Sequence, residues 1–282
     1  MAGEVVQALW VGSRLSSMEQ LSICSFLRHG HPVHLYAFGP MANVPEGTTV
    51  RSAAEILPES EVFIYRRGPG KGSTAAFSDP FRYRLLLERG GWWTDLDMVC
   101  VRPLQFEDEH VYGCERTRDG GPAVNVALFR APAGSPIVRR CDERVRQIDK
   151  STAKWGHFGP VLTRNVLAEM KHPVKMLPPE YFYPIDYWHV EQFLCDTPLP
   201  AECHAIHLWN SQWLYHGHDP DGRYPADSLY ERLRREYLPS GWERSLQPRG
   251  VGWHLAASGR RFLRSPRRWL RELGRPSYQA AS

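Results

Sequence analysis

The chain predicts an α/β fold built on a mostly parallel sheet with helices on its faces. The chain opens with an apolar run at 5–11, a helix-patterned stretch and a second apolar run at 33–38. That β–α–β order favours a parallel sheet whose crossover is right-handed. Further on, short apolar runs at 111–115 and 124–130 precede amphipathic stretches at 135–148 and 158–170. The bulk composition agrees: 282 residues, 42% hydrophobic and 23% charged, are enough for a large core in one large domain or two small ones.

The elements follow in order. Residues 5–11 read as a buried strand. Ser16 followed by Glu19 has the form of a capping box, Leu21, Ile23, Cys24 and Leu27 make an apolar helical face, and Gly30 ends it. Residues 33–38 read as a second strand. Residues 40–73 are irregular, with Pro40, Pro45, Pro58 and the glycine-rich segment 66–72. That segment lacks a Gly-Lys-Ser/Thr ending at the right spacing, so it is not a phosphate-binding P-loop. Residues 74–89 predict a helix with Phe81, Leu85 and Leu86 on one face. Pro80 must sit in its first turn or kink it. Gly90-Gly91 stops it, and residues 92–101 read as a strand interrupted by acidic residues. Residues 176–188, rich in Pro and Tyr, read as extended; 204–213 as a short strand leading into a loop; 227–237 as a polar helix. Composition changes near 240, so 1–240 is expected to be the folded domain and 241–282 a basic, aromatic tail.

Several function classes drop out. There is no apolar run of about 18 residues, hence no membrane span, and the first residues look like a strand, not a signal peptide. The six cysteines are scattered without a Cys-x-x-Cys pair, which fits reduced, buried thiols in a cytoplasmic protein and no zinc site. The net charge of +4 is uneven: residues 260–275 hold seven Arg against one Glu, leaving the remainder net negative by two. Nucleic-acid binding by the body is therefore not expected. Residues 253–275 interleave Trp253, Leu255, Phe262, Leu263, Trp269 and Leu270 with arginines, a pattern suited either to an anionic membrane surface or to a solvated tail. On the first reading the protein sits peripherally on the inner face of a membrane. Ten Trp and twelve Tyr suit a sugar site as well as core packing.

The chemistry concentrates in Ser78-Asp79-Pro80-Phe81-Arg82-Tyr83 and Gly90-Gly91-Trp92-Trp93-Thr94-Asp95-Leu96-Asp97. In an unbroken strand Asp95 and Asp97 would point to one face. Two carboxylates side by side among Trp, Leu, Met, Val and Cys repel each other and are costly to desolvate. A hard divalent cation, Mg²⁺ or Mn²⁺, shared with substrate phosphates resolves the conflict. The plain alternative is a strand end facing water. The position after a helix, a Gly-Gly stop and a buried strand is the carboxyl end of a strand, where α/β sheets bind ligands.

This block resembles the sugar-binding region with the Asp-x-Asp motif of glycosyltransferase family 32 type enzymes, which include mannosyl- and α-1,4-galactosyltransferases and capsular polysaccharide enzymes. Leu9-Trp10-Val11-Gly12, Ser25-Phe26 and Gly30-His31 resemble the family's first βαβ unit. Gly159-Pro160 and His207-Leu208-Trp209-Asn210-Ser211-Gln212-Trp213 resemble its later blocks. The resemblance implies a GT-A type nucleotide-diphospho-sugar transferase fold, a mixed, mostly parallel sheet flanked by helices. It also implies transfer, with retention, of a sugar from a nucleotide donor, UDP-sugar first and GDP-sugar next, to a glycan, lipid-linked or other hydroxyl acceptor.

The roles it implies are specific. Asp95, Asp97 and His207 would hold Mn²⁺ or Mg²⁺. Trp10, Gly12, Asp79, Arg82, Tyr83, Asp95, Asp97, Asn210 and Trp213 would bind the donor, Trp10 near the base and Asn210 with Trp213 closing over the diphosphate. Asp79, Arg82, Asp97 and Asn125 would act in catalysis. Glu115 is a candidate nucleophile, against same-face attack assisted by the leaving phosphate. A nucleotide-sugar hydrolase and a non-catalytic nucleotide-sugar-binding module remain open alternatives.

Overall fold

A computed structural model describes residues 3–67, 70–152 and 154–245. Its elements in chain order are β1 (Val6–Trp10), α1 (Ser17–Arg28), β2 (Val33–Ala37), β3 (Thr48–Ser52), α2 (Ala75–Arg89), β4 (Gly91–Thr94), β5 (Met98–Cys100), β6 (Val111–Arg116) and β7 (Pro122–Ala131). They continue with α3 (Pro136–Val145), α4 (Pro160–Met170), β8 (Lys175–Leu177), α5 (Pro179–Phe182), β9 (Ala205–His207), α6 (Asn210–His216) and α7 (Leu229–Tyr237). Seven strands form one sheet in the order β3-β2-β1-β4-β7-β6-β8. Pairing is parallel except that β7 is antiparallel to β4 and β6, so β7 alone runs against the other six. This is the mixed, mostly parallel GT-A type α/β sheet that was expected. A separate two-stranded sheet pairs β5 with β9.

Consecutive residues of a strand face opposite sides, and Trp92 and Trp93 divide the core accordingly. Trp92 belongs to a buried cluster with Leu21, Phe26, Val99, Ile206 and Leu233, on the face covered by α1, α7 and the small sheet. Trp93 belongs to a cluster with Phe77, Phe81, Val138 and Val166, on the face covered by α2, α3 and α4.

Local sequence explains most boundaries. Ser16 caps α1 through a complete capping box with Glu19. Ser135 and Ser228 cap α3 and α7. Pro80 enters α2 in the second turn, one turn later than expected, leaving the Ala76 carbonyl without its helical donor. Gly90 ends α2 with φ of 64°, and a Cβ there would stand 2.5 Å from the Ala133 amide nitrogen, so this corner takes only glycine. Three expectations are corrected. The irregular 40–73 segment contributes β3, which pairs along its length with β2. The stretch 92–101 is two strands in two sheets, broken at 95–97. The region after β9 is the helix α6, not a loop.

All six cysteines are free, as expected, but Cys195 is exposed. Among the described residues, no helix is long and apolar enough to cross a membrane. The tail at 253–275 lies outside the described residues.

Candidate active site at the carboxyl edge of the sheet

The break between β4 and β5 creates the site. Strand β4 stops at Thr94 because the chain crosses from the large sheet to the small one. The Asp95 amide donates to the Ala127 carbonyl at 2.6 Å, and the Met98 amide to the Asp95 carbonyl at 3.2 Å, closing a turn. Asp95 and Asp97 therefore stand on a turn, not on one face of an unbroken strand.

Strand β7 prepares the receiving surface. Tyr112 pairs with Phe129, but the next residue, Gly113, pairs with Asn125. Residues 126–128 are thereby released from β6, a local irregularity of the bulge type. Two of their carbonyls turn to the site: Ala127 accepts from Asp95, and Val126 accepts from Arg82 Nη1 at 2.5 Å. The Asn125 side chain stitches the irregularity from inside. Its Oδ1 accepts from the Ala127 amide at 2.7 Å and its Nδ2 donates to Glu115.

Arg82 is the hub of the α2 side. Asp79 and Arg82 are three residues apart on one helix face, and both are buried. Arg82 Nη2 lies 3.3 Å from Asp79 Oδ1, 3.0 Å from Asp95 Oδ1 and 2.8 Å from Ser78 Oγ. Its guanidinium also lies over the Trp93 ring, 4.9 Å from the centroid. The Trp93 indole N–H donates to Asp95 Oδ1 at 2.9 Å. Burial raises the Asp79 carboxyl to about 7 against the pull of Arg82, and raises Asp95 in the same direction. Arg82 was expected to bind the donor; its guanidinium stands between two carboxylates.

Asp97 has different neighbours. Its Oδ2 lies 3.3 Å from His207 Nε2 and accepts the Asn210 amide at 2.9 Å. Burial alone would raise the Asp97 carboxyl. The His207 ring and the Asn210 amide more than offset that, so it sits below its ordinary value. Pairing of Met98 with His207 across β5 and β9 brings the histidine there. Trp209 then turns the chain with φ of 59°, left-handed backbone that is uncommon for a tryptophan, and so aims the Asn210 amide at Asp97. The Trp209 ring lies 3.7 Å from that of His207, and its indole N–H donates to the Ile185 carbonyl at 2.8 Å.

The other expected residues divide. Trp10 ends β1 and Gly12 follows it; β1 neighbours β4 through the Gln7–Trp93 pair, so they share the edge with Asp95. Trp10 is half-buried and donates from Nε1 to the Arg14 carbonyl at 3.1 Å. Tyr83 lies in the core. One residue past Arg82 it rotates to the buried side, and its hydroxyl meets the Phe158 and Gly159 carbonyls at 3.1 Å each and Thr163 Oγ1 at 2.7 Å. It props the start of α4. Trp213 also lies in the core. It is fully buried among Phe193, Tyr224 and Tyr230, and therefore anchors α6 in the core. Asn125 faces Glu115 and the β7 backbone, which makes it a positioning residue. Glu115, at the end of β6, is raised to about 7 by burial against the Asn125 hydrogen bond, and feels the charges of His207 and Asp186.

Gly159 has a reason the sequence does not disclose. A Cβ there would stand 2.5 Å from Asp79 Oδ1 and 3.0 Å from its other carboxyl atoms. The loop before α4 can roof the Asp79–Arg82 pair only as glycine.

Two of the three residues expected to hold a divalent cation come together at the turn. Asp97 and His207 converge, Asp95 stands two residues away, and the His207 Nδ1 is buried without a hydrogen-bond partner. Oxygen with imidazole nitrogen suits Mn²⁺ or Mg²⁺. Among the described residues no three His, Cys, Asp or Glu side chains are grouped so that they could hold a metal ion, so Asp97 and His207 converge without Asp95 as a third ligand.

Comparison with known proteins bears on the same residues. Residues 54–115 match the family described as glycosyltransferase sugar-binding region containing DXD motif. Residues 134–243 match the alpha 1,4-glycosyltransferase conserved region. A curated relative, alpha-1,4-N-acetylglucosaminyltransferase of Homo sapiens, is 26% identical over 181 residues, covering 57% of this chain and 49% of the relative. The chain thus spans about half the length of that relative. The solved structure of PaToxG glycosyltransferase aligns with a TM-score of 0.42 at 14% identity, over 60% of this chain and 70% of that one. The chain therefore matches, in sequence order, a DXD-containing glycosyltransferase sugar-binding region and an alpha 1,4-glycosyltransferase conserved region.

Proposed function

We propose that the protein is a metal-dependent glycosyltransferase that moves a sugar from a nucleotide-diphosphate sugar to a hydroxyl of a glycan or glycolipid. The observation that carries this reading is the division of the Asp-x-Asp turn: Asp95 is fixed by Arg82 and Trp93, while Asp97 is presented beside His207. Asp97, His207 and Asp95 would hold Mn²⁺ or Mg²⁺, which supplies the positive charge that stabilises the diphosphate as the sugar–phosphate bond breaks. Trp10 and Gly12 flank the nucleotide side of that edge. Asp79 and Arg82 define the floor under the donor sugar.

A UDP-sugar is favoured, with a GDP-sugar next. The relative's name makes an N-acetylglucosamine donor the first to try. We favour retention by same-face attack assisted by the leaving phosphate; a glycosyl adduct trapped on Glu115 would overturn that step. The tail at 253–275 would bring the domain to an anionic membrane surface carrying a lipid-linked acceptor.

The experiment is thermal stability with Mn²⁺ and a panel of nucleoside diphosphates and nucleotide sugars, for the wild type and Asp97→Ala. Binding to the native state alone raises the melting point. A metal-dependent rise with one nucleotide, lost in the variant, is the expected result, with kcat reduced at least about a hundredfold. No rise with any nucleotide would overturn the reading. Release of free sugar with every acceptor offered would replace it with a hydrolase, and binding without turnover would replace it with a binding module.

A further inference from the structure

Strand direction sets out the edge of the sheet. Strands β1, β4 and β6 run the same way, so Trp10, Asp95 and Glu115 end on one edge, in that order across the sheet. If the nucleotide lies by Trp10 on the β1 side and the Asp-x-Asp turn in the middle, as the transferase reading has it, the β6 side is left for the hydroxyl that receives the sugar.

On that side the segment 183–189 is fixed in place. Its Ile185 carbonyl accepts from the Trp209 indole, and Arg116 Nη1 reaches Asp186 at 3.3 Å. A row of rings leads outward from the site. His207 lies against Trp209, Trp209 is 5.9 Å from Tyr187, and Tyr187 is 4.7 Å from Trp188 at an interplanar angle of 86°. The perpendicular pair makes a corner. The exposed Arg118 guanidinium lies 5.8 Å from the Tyr187 centroid and 5.3 Å from that of Trp188. Tyr187 and Trp188 are only half-buried. The guanidinium lies over both rings, so a pyranose would meet it there: hydroxyls accept from the five-donor cation, and axial C–H groups lie on the ring surface that the half-buried Tyr187 and Trp188 leave exposed.

Resting on the transferase reading, we infer that Tyr187, Trp188 and Arg118 form the acceptor subsite, in which the sugar ring of the acceptor stacks in the Tyr187–Trp188 corner and is held at its hydroxyls by Arg118. The subsite selects a glycan acceptor over a simple alcohol, because only a ring has a face to stack.

The test uses the full chain as wild type, Trp188→Ala and Trp188→Phe, with methyl glycosides of galactose, N-acetylglucosamine and mannose as probes. Saturation-transfer NMR reads pyranoside contact directly, and transfer kinetics read KM for donor and acceptor separately. One glycoside is expected to show contact with the wild type, to lose it in Trp188→Ala and to keep it in Trp188→Phe. Acceptor KM should rise about tenfold in the alanine variant, with donor KM and kcat at saturating acceptor unchanged. No glycoside contact with the wild type, contact unchanged in Trp188→Ala, or donor and acceptor KM rising together would each overturn the subsite. If pyranoside contact behaves as expected but no nucleotide sugar is turned over, the transferase reading fails and the saccharide subsite stands. If metal-dependent nucleotide binding holds while no pyranoside binds, the reverse is true.

Discussion

Asp95 and Asp97 stand two residues apart and have opposite surroundings. Asp95 belongs to the large sheet and α2: it accepts from the Trp93 indole and pairs with Arg82, which is shared with the buried Asp79. Asp97 belongs to the small sheet and the C-terminal segment, beside His207 and capped by the Asn210 amide. Burial raises the first carboxyl; imidazole and amide lower the second. Two like charges so close are tolerable because one is neutralised from the fold's interior and the other is left for a ligand's cation. The Asp95 half should accordingly register in stability and the Asp97 half in binding.

The largest break comes from Arg82. Arg82→Ala leaves Asp79 and Asp95 without their shared cation, so unfolding by denaturant should show a loss of about 3–5 kcal/mol. His207→Ala, on the other half, should cost under about 1.5 kcal/mol in the same assay and yet abolish the metal-dependent nucleotide shift. Equal stability losses in the two variants would remove the distinction. Next is Gly159→Ala. The added methyl meets the Asp79 carboxylate, and the overpacking should cost about 1–3 kcal/mol, read as a lower melting temperature. In the double variant with Asp79→Ala much of that loss should disappear.

A pH dependence separates the two halves in another way. The Asp79 carboxyl is raised from 3.8 to about 7 by burial. A raised folded value means the stabilising contribution is complete below about pH 4 and is lost as pH rises through about 7. The wild type should lose stability relative to Asp79→Asn across that window, by at most about 1.4 kcal/mol per pH unit. Parallel stability profiles for the two proteins would show that Asp79 is ionised throughout and belongs electrostatically with Asp97.

Much of the fold and of the site's charge is legible in the amino-acid sequence. The apolar runs mark β1, β2, β6 and β7, and the Ser16–Glu19 box marks the start of α1, because patterning and capping are local properties. Asp79, Arg82, Asp95, Asp97, His207 and Asn210 all stand out in the sequence, and the structure brings them together. Direction is not legible. Tyr83 and Trp213 sit in the right blocks, but whether a side chain faces the site or the core depends on what packs over it, and Thr163 and Tyr230 come from distant segments. The edge strand β3, with few apolar residues, has no pattern of its own and exists because β2 offers unpaired backbone.

The sequence by itself determined the α/β class, the family resemblance and the residues that carry charge at the centre, since periodicity and motif spacing are written along the chain. Only the tertiary structure decided that the Asp-x-Asp motif is a turn between two sheets, that Arg82 clamps Asp79 to Asp95, and that Gly159 must lack a side chain. Each of these rests on contacts between residues far apart in sequence, such as Ala127 with Asp95 and Gly159 with Asp79, which no local pattern encodes.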